Sequence, residues 1–362
     1  MTPSSATAIV FDGPGAPLRP QTLPLPETGQ GEMLVALDLA TVCGSDLHTV
    51  EGRRSELTPS VLGHEGVGRV VALGEGPHAV PSLREGDRVT FSIAASCGRC
   101  DACTRWQLPQ KCDRLFKYGH ARLDDGCGLN GTYASHLLLR AGTTVIPVPD
   151  ALDDRIVASA NCALATAVCA VNQVPVGADN ALVQGAGLLG LYTCALLRER
   201  GLSRVFCVDP LPGRRKLAEH FGATPVDGTL PASDRIATLL DEVPSGVDAA
   251  FEMSGDSAVV PEAIEVQRFG ATYVLVGTVH PDSPLDITGE QIVRRCLRVC
   301  GVHNYAPEHL RQGVAFLEAT RDRYPFNELV SPPIALTRLQ EAIELSQQRR
   351  WLRVAVSPHL ES

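Results

Sequence analysis

The sequence predicts an α/β protein with two domains, a mostly β domain and a doubly wound domain around a parallel sheet. The chain has 362 residues, more than one hydrophobic core usually supports. Up to about residue 150 it is rich in glycine, proline and short apolar runs, and beyond that point short apolar runs alternate with helical patterns. We therefore expect a domain boundary near residue 150.

Short strands separated by turns are predicted in the first domain. Residues 33–39 and 66–73 are apolar or β-branched, and the tripeptide at 85–87 is typical of a turn. Residues 156–171 are alanine-rich and apolar on nearly all sides, which predicts a buried helix. Near the C-terminus, residues 351–357 have the pattern of a strand, and we expect this strand to rejoin the first domain.

The second domain shows strand and helix patterns in alternation. This order and spacing favour βαβ units and a parallel sheet. No internal repeat or low-complexity segment interrupts it. The patterned segments are residues 180–183, 188–200, 204–208, 214–221, 247–252, 258–266 and 271–276.

Charge and composition exclude several functional classes. The formal net charge is -9, from 32 Lys+Arg against 41 Asp+Glu, and no basic block is present, so nucleic acid and membrane surfaces are poor partners. No signal peptide or membrane span is predicted, and a cytoplasmic location is the expectation. Twelve cysteines with four crowded into residues 97–112 favour metal binding over a disulfide framework.

A dinucleotide-binding turn is predicted at Gly185-Ala186-Gly187-Leu188-Leu189-Gly190, between a strand pattern and a helix pattern. In this G-x-G-x-x-G motif the glycines allow a tight turn, close approach of the pyrophosphate and close helix–strand packing. The first N–H groups of the helix then face the phosphates. The motif alone is weak, because a glycine-rich turn in another sheet protein would match it.

An acidic residue in the expected place strengthens this interpretation. Asp209 ends the next strand pattern, 19 residues beyond Gly190. A carboxylate there accepts hydrogen bonds from ribose hydroxyls and repels a 2′-phosphate, so NAD is favoured over NADP. Arg214 and Arg215 follow and could contact the adenosine ribose, although exposed helix charges explain them equally well.

Four cysteines, Cys97, Cys100, Cys103 and Cys112, have two, two and eight residues between them. Four thiolates so close in sequence can surround one tetrahedral Zn²⁺ and leave no position for a substrate. We predict a structural zinc in a lobe at about residues 94–115. An iron–sulfur cluster also takes four thiolates, but neither of its usual spacings matches.

A second, open metal site is predicted from Cys43, His64 and Cys162. Two cysteines and one histidine are the ligand set of a catalytic zinc that keeps a fourth position for water or substrate, for which alcohol dehydrogenase is the standard example. Each residue alone is weak, since buried cysteines and lone histidines are usually structural. The combination with the other two motifs strengthens the prediction.

With these motifs the chain resembles the medium-chain, zinc-dependent alcohol dehydrogenase family over nearly its whole length. The first-ligand motif matches residues 43–48, the Gly-His-Glu motif matches residues 63–65, and the third ligand falls at Cys162. The resemblance implies that these three positions bind the catalytic zinc. Glu65 matches an acidic neighbour that can approach the metal as an alternate ligand.

The resemblance also assigns catalytic and coenzyme residues. Ser45 matches the hydroxyl that receives the substrate proton, His48 the imidazole that relays it towards solvent, and Asp46 the carboxylate that orients His64. Thr166 is similar to a residue that contacts the nicotinamide, and Arg353 to a residue that contacts a coenzyme phosphate. The full set implied to bind coenzyme is Gly185, Gly187, Leu188, Leu189, Gly190, Asp209, Arg214, Thr166, Val276 and Arg353.

For the fold, the resemblance implies a GroES-like catalytic domain at 1–155 and 305–362 and a Rossmann domain at 156–304. It also implies two zinc ions per chain, one catalytic and one structural, and a homodimer or homotetramer.

The sequence departs from the family pattern at two points. The family usually has seven residues before the last cysteine of the lobe, so the eight here require a small bulge before Cys112, and Cys162 replaces the acidic third ligand of many polyol-type relatives.

The implied reaction is hydride transfer between a small alcohol, or its aldehyde or ketone, and NAD(H). Residues 108–112 and 117–120 resemble a subgroup associated with phosphonate metabolism, which implies a hydroxyalkyl- or oxoalkyl-phosphonate. Arg53, Arg54, Lys117 and His120 are cations that could meet such an anion, or solvated loop charges. A polyol or threonine-type dehydrogenase is an alternative, as is a non-catalytic dinucleotide-binding protein of the same fold.

Overall fold

The structure is a computed structural model that describes residues 4–76 and 83–361. The chain divides into two compact units. Unit 1 comprises Met1–Cys162, Ala306–Arg321 and Phe326–Ser362, and unit 2 comprises Ala163–Tyr305 and Asp322–Pro325.

The strands are numbered in chain order. They are β1 Ser5–Phe11, β2 Arg19–Pro24, β3 Met33–Val42, β4 Ser60–Val61, β5 Glu65–Leu73, β6 Arg88–Ala95, β7 Phe116–Lys117, β8 His136–Leu139, β9 Thr143–Pro147, β10 Asn180–Gln184, β11 Arg204–Asp209, β12 Thr224–Asp227, β13 Val247–Glu252, β14 Gln267–Leu275, β15 Arg298–Gly301, β16 Ile334–Ala335 and β17 Val354–Ser357.

The α-helices are numbered in the same way. They are α1 Gly44–Val50, α2 Asp101–Thr104, α3 Asp154–Val157, α4 Ala165–Val171, α5 Leu188–Glu199, α6 Pro212–His220, α7 Ala232–Glu242, α8 Val260–Val266, α9 Gly289–Arg294, α10 Pro307–Thr320 and α11 Leu339–Gln347. Short 3₁₀ turns lie at Pro109–Lys111, Ser257–Val259, Phe326–Glu328 and Leu336–Arg338, and a π-helical turn lies at Ala160–Leu164.

Unit 1 is mostly β. Its larger sheet has the order β16-β17-β3-β5-β6-β7, with β8 also on β3 and β9 also on β6, and a smaller sheet has the order β2-β1-β4. Strand β3 packs on both sides, since Val35 and Leu37 lie in one apolar cluster while Leu34 and Ala40 lie in another. This two-sided burial follows from the alternation of side chains along a strand and explains the nearly continuous apolar sequence of β3.

The C-terminal strand β17 pairs antiparallel with β3. Its residues Val354 and Val356 are fully buried in the same cluster as Val42. The prediction that residues 351–357 contain a strand that returns to the first domain is therefore confirmed.

Unit 2 is a doubly wound α/β unit. Its described residues form a parallel sheet of order β12-β11-β10-β13-β14-β15, which is the strand order 3-2-1-4-5-6 of a Rossmann fold. The predicted α/β fold class is confirmed. Strand β12 and helix α7 were not predicted from the sequence. Each has a single buried apolar residue, Val226 in β12 and Leu239 in α7, and one buried residue leaves no periodic pattern.

The predicted buried helix at 156–171 is divided in the structure. It consists of α3, the π-helical turn and α4, and it is 83% buried over Asp154–Val171. By length and composition this run could cross a membrane, but its burial within the fold accounts for its apolar sequence. The π-helical turn places an extra residue in the helix, as is common at functional sites, and Cys162 lies in it.

Candidate active site and metal centres

The four lobe cysteines converge on one point. Their Sγ atoms all lie within 4.8 Å of one another, with Cys100 Sγ 3.5 Å from Cys103 Sγ and 3.9 Å from Cys112 Sγ. Zinc–sulfur bonds in a tetrahedron place sulfur atoms about 3.8 Å apart. The four thiols therefore have the spacing of a zinc site.

Local backbone geometry brings Cys112 to the other three. Cys100 precedes α2 and Cys103 lies within it, and the chain then turns through Gln107, whose φ of 57° is left-handed. The 3₁₀ turn Pro109–Lys111 leads directly into Cys112. The eight-residue interval is thus accommodated by two tight turns, where a small bulge was expected.

The surroundings of the four lobe cysteines lower the pKa of one thiol and raise that of another. Backbone N–H groups of Arg99 and Cys100 lower the pKa of Cys97 to about 6, and the N–H groups of Cys97 and Arg114 point at Cys112 Sγ at 3.2 and 3.3 Å. Burial and the neighbouring sulfurs raise the pKa of Cys103 to about 12. A divalent cation would relieve this repulsion, so the donor set fits a metal ion.

A second group forms where β3 ends and β5 begins. Thr41 and Glu65 are paired across these antiparallel strands, and this register places Cys43, two residues after Thr41, near His64, one residue before Glu65. Cys162 completes the group, whose ligand atoms also lie within 4.8 Å of one another. The structure thus brings together three distant parts of the sequence.

Asp46 connects the Cys43 segment to His64. Its Oδ2 atom accepts hydrogen bonds from the Cys43 N–H at 2.9 Å and the Tyr133 hydroxyl at 2.8 Å, and its Oδ1 atom lies 3.8 Å from His64 Nδ1. Asn161, beside Cys162, donates from Nδ2 to the His64 carbonyl at 2.9 Å. Hydrogen bonds therefore hold the backbone segments of Cys43 and His64, while Asp46 faces the His64 imidazole without a hydrogen bond to it.

Glu65 is buried and fully engaged. Its Oε2 accepts from Thr41 Oγ1 at 2.5 Å and from Arg353 Nε at 2.7 Å, and its Oε1 accepts from Arg353 Nη2 at 2.9 Å. The same Nη2 also lies 3.4 Å from Cys43 Sγ. The structure thus places Arg353 in contact with Glu65 and Cys43, and the contact of Arg353 with a coenzyme phosphate stays a prediction.

Contacts within the group shift the pKa values of all four side chains. Hydrogen bonding with Cys162 lowers the pKa of Cys43 well below its usual value, while the same contact raises the pKa of Cys162. Burial would lower the pKa of His64, but Asp46 and Cys43 outweigh it and raise that pKa to about 9. Burial raises the pKa of Glu65 to about 7 against the effect of Arg353.

Ser45 and His48 lie on the same face of α1, three residues apart. The Ser45 hydroxyl is buried and has no hydrogen-bond partner among the described residues. His48 is exposed. One turn of α1 therefore carries a buried hydroxyl and an exposed imidazole, both within five residues of Cys43.

The four cations singled out in the sequence have different surroundings. Arg53 is paired with Glu51, whereas Glu56 Oε1 lies 2.5 Å from Arg54 Nε and 2.8 Å from His120 Nδ1. Lys117 is half-buried and forms no ion pair with any described residue.

His120 and Lys117 lie close to the metal group. The His120 ring stacks on that of His64, with centroids 6.0 Å apart, and burial lowers the pKa of His120 to about 4. Burial and then Arg54 lower the pKa of Lys117, on which the Cys162 thiol also acts electrostatically. The Glu56 carboxylate acts on Lys117 electrostatically as well. The region beside His64 and Cys162 therefore holds a neutral imidazole and a half-buried ammonium group that forms no ion pair with a described residue.

The G-x-G-x-x-G motif forms the turn between β10 and α5. Gly185 has a φ of 102°, and a Cβ at Gly190 would lie 1.8 Å from the Gly185 carbonyl oxygen, so the turn requires both glycines. A Cβ at Gly187 would meet only Arg214 Nη1, at 3.8 Å. Helix α5 begins at Leu188, and its first N–H groups lack partners within the helix.

Other predicted coenzyme residues occupy the same unit. Asp209 ends β11, is buried, and accepts from the N–H groups of Ala186 and Leu211 at 2.9 and 2.8 Å. Arg215 donates to the Asp209 carbonyl and to Asp227. Val276 follows β14 and Thr166 lies in α4, both buried.

Comparisons with known proteins agree with this architecture. The family model of the alcohol dehydrogenase GroES-like domain matches residues 29–150, and that of the zinc-binding dehydrogenase matches residues 189–319.

Two relatives match over most of their length. The chain is 28% identical over 338 residues to 5-exo-hydroxycamphor dehydrogenase of Pseudomonas putida, covering 89% of this chain and 91% of the relative. It is 30% identical over 314 residues to S-(hydroxymethyl)glutathione dehydrogenase of Photobacterium damsela subsp. piscicida, covering 80% and 82%.

Two solved structures are also similar. An alcohol dehydrogenase of Thermotoga maritima is 29% identical, with a TM-score of 0.92 over 98% of this chain and 100% of that one. A zinc-binding dehydrogenase of Sinorhizobium meliloti 1021, bound to NADP, is 26% identical, with a TM-score of 0.81 over 98% and 100%. On the sequence matches, the fold and the two metal-ligand groups, the chain belongs to the zinc-dependent medium-chain alcohol dehydrogenase family, whose members are oxidoreductases acting on CH-OH groups.

Proposed function

We propose that this protein transfers hydride between a small alcohol, or the corresponding aldehyde or ketone, and NAD(H), with one catalytic and one structural zinc ion per chain. The observation that carries the proposal is the group of Cys43, His64 and Cys162, whose ligand atoms lie within 4.8 Å of one another. Ser45 follows Cys43 by two residues, and its buried hydroxyl has no hydrogen-bond partner among the described residues. A metal site that keeps an open position beside a free proton acceptor suits alcohol oxidation.

Cys43, His64 and Cys162 would hold the catalytic zinc, and Glu65 would stay outside the resting ligand shell. Both oxygens of Glu65 already accept hydrogen bonds from Arg353, and Oε2 also accepts one from Thr41. Three protein ligands leave the fourth position for substrate. The lobe cysteines Cys97, Cys100, Cys103 and Cys112 would hold the structural zinc.

The protein's own contribution is to move a proton and orient the reactants. When bound, zinc lowers the pKa of the alcohol hydroxyl and the nicotinamide accepts the hydride. Ser45 Oγ would receive the hydroxyl proton and pass it to His48, which is exposed to solvent. Asp46 would keep His64 oriented through its Oδ1 atom, 3.8 Å from Nδ1.

Unit 2 would bind the coenzyme. A pyrophosphate would fit the open space at Gly187, where it would meet the first N–H groups of α5, at Leu188 and Leu189. The Arg214 guanidinium also lies near Gly187. Asp209 supports NAD, because a 2′-phosphate would meet its negative charge. The NADP-bound relative is the reason to measure this preference directly.

The direct test measures zinc content by mass spectrometry together with reduction of NAD⁺ and NADP⁺ over a panel of simple alcohols, polyols and threonine. We expect about two zinc ions per chain and turnover with a kcat/KM for NAD⁺ at least tenfold above that for NADP⁺. One zinc or none, with no turnover, would instead support a non-catalytic dinucleotide-binding protein. Sedimentation of the same sample tests the proposed homodimer or homotetramer.

A second candidate concerns the substrate, a hydroxyalkyl- or oxoalkyl-phosphonate. It is favoured by Lys117, a half-buried ammonium without an ion pair in the described chain. The Glu56 carboxylate and then the Cys162 thiol act on this ammonium electrostatically. Arg53, Arg54 and His120 already contact carboxylates, so an anion would rely mainly on Lys117.

The test of this candidate is Lys117→Met. A lost charge-assisted contact of about 1.5–3 kcal/mol would reduce kcat/KM for a hydroxyalkylphosphonate by about 10- to 150-fold. The kcat/KM of a neutral alcohol should change less than about threefold. Lys111→Met, at an exposed lobe lysine, is the matched control. Equal turnover of neutral alcohols and phosphonates by the wild-type enzyme would refute the phosphonate assignment.

A further inference from the structure

Tyr133 is a buried residue that none of the sequence motifs singled out, and it contacts the segments of two proposed zinc ligands. Its side chain has 0% exposure. The hydroxyl donates to Asp46 Oδ2 at 2.8 Å, and the same oxygen accepts from the Cys43 N–H at 2.9 Å. Asp46 thus joins Tyr133 to the start of α1, where Cys43 lies.

The ring and backbone of Tyr133 pack against the other ligand segment. A Cβ at Gly63, the residue before His64, would lie 2.9 Å from both Cδ1 and Cε1 of the Tyr133 ring. The Tyr133 N–H donates to the Leu62 carbonyl at 3.1 Å, and the Thr132 N–H donates to the Gly63 carbonyl at 2.9 Å. The glycine therefore permits a close contact that fixes the backbone immediately before His64.

Asp46 faces His64 with the oxygen that Tyr133 does not use. Its Oδ1 lies 3.8 Å from His64 Nδ1, a buried atom that has no hydrogen-bond partner among the described residues. Two donors on Oδ2 fix the carboxylate plane, so the position of Oδ1 relative to the imidazole depends on them. Removing one donor would let the carboxylate rotate without removing any ligand.

We propose that Tyr133 is a positioning residue for the catalytic zinc. Its hydroxyl fixes the Asp46 carboxylate that faces His64, and its ring packs against the backbone of Gly63. This inference rests on the proposed zinc site at Cys43, His64 and Cys162. Burial and the neighbouring Asp46 raise the pKa of Tyr133 well above its usual value, so the phenol keeps its proton as a donor. Partners behind metal ligands typically affect metal affinity by about 10- to 100-fold.

The experiment compares zinc release from the full-length wild type and Tyr133→Phe, which removes only the hydroxyl. Native mass spectrometry would follow zinc ions per chain as the concentration of a competing chelator rises, with Cys162→Ala identifying the catalytic ion. We expect the catalytic zinc of Tyr133→Phe to leave at about tenfold lower chelator concentration, with the lobe zinc unaffected. A wild type that never holds the catalytic zinc would overturn the proposed site itself.

The matched control is Tyr273→Phe in unit 2, which removes another buried hydroxyl, the donor to Gln184 Oε1 at 2.8 Å. It should leave zinc release unchanged. In the double variant with Asp46→Asn, the two effects should be clearly non-additive if Tyr133 acts through Asp46. Zinc release from Tyr133→Phe equal to that of the wild type, or simple additivity with Asp46→Asn, would overturn the inference.

Discussion

The two candidate metal centres differ in how the chain assembles them. The lobe takes all four ligands from sixteen residues, Cys97 to Cys112, and positions them by a short helix and tight turns. The other centre takes Cys43, His64 and Cys162 from the end of β3, the start of β5 and a π-helical turn. The first depends on local geometry and the second on the whole of unit 1.

Because of this difference, we expect the four-cysteine lobe to contribute to the stability of the fold and the other centre to contribute to catalysis. A closed set of four thiolates can only hold the local fold together, because it offers no open position. The centre at Cys43, His64 and Cys162 also contains Glu65, whose carboxylate accepts hydrogen bonds from Arg353 and Thr41. Ser45, two residues after Cys43, has a buried hydroxyl without a hydrogen-bond partner in the described part of the chain. We therefore expect mutations in the lobe to change stability and mutations in the assembled centre to change rate.

The largest expected effect is that of Cys162→Ala. Loss of one ligand at the assembled centre should lower kcat/KM by about 1,000-fold or more, equivalent to ~4 kcal/mol. Zinc content should fall by one ion per chain, while circular dichroism stays that of the wild type. Steady-state kinetics measures the loss of kcat/KM, and zinc analysis measures the loss of the ion. Activity within tenfold of the wild type would show that Cys162 is not a ligand of the catalytic zinc.

Ser45→Ala should have the next largest effect. Removal of the proposed proton acceptor should lower kcat by about 100-fold, within the range usual for proton-transfer groups. Both zinc ions should remain, since no ligand is touched. Ser45→Thr, which keeps a hydroxyl, is the conservative control and should recover most of the activity. If Ser45→Ala loses its catalytic zinc, the residue acts on the metal site and not on the proton.

Cys100→Ser should act mainly on stability. Loss of the lobe zinc should lower the midpoint of thermal unfolding by about 5–10 °C, from a local loss of ~2–3 kcal/mol. At low temperature, kcat should stay within about tenfold of the wild type. Calorimetry and kinetics on the same preparation test this, and a loss of turnover as large as that of Cys162→Ala would abolish the proposed division between the two centres.

The smallest expected effect is that of deleting Gln107. The lobe would then have the seven-residue interval usual in the family, and the left-handed backbone at this residue would be relieved. We expect both zinc ions to remain and the unfolding midpoint to change by about 2 °C or less. A lost lobe zinc in this variant would show that the turn through Gln107 is itself required.

Much of the fold could be predicted because its signals are periodic. The pattern at residues 247–252 coincides with β13, and the patterns at 180–183 and 204–208 lie within β10 and β11. Strand β12 and helix α7 were not predicted, because each has only one buried apolar residue and therefore shows no hydrophobic periodicity. Among site residues, Tyr133, Thr41 and Asn161 lie in no motif, and their roles depend on contacts with residues far away in the sequence.

The sequence by itself determined the fold class, the glycine-rich turn between β10 and α5 and the four-cysteine lobe, since strand–helix alternation, glycine spacing and cysteine spacing are local properties of the chain. Only the tertiary structure decided which residues meet Cys43 and His64, how Arg353 pairs with Glu65, and that Tyr133 supports Asp46. The physical reason is that strand register and side-chain packing set these distances between residues up to 310 positions apart, and no local pattern encodes them.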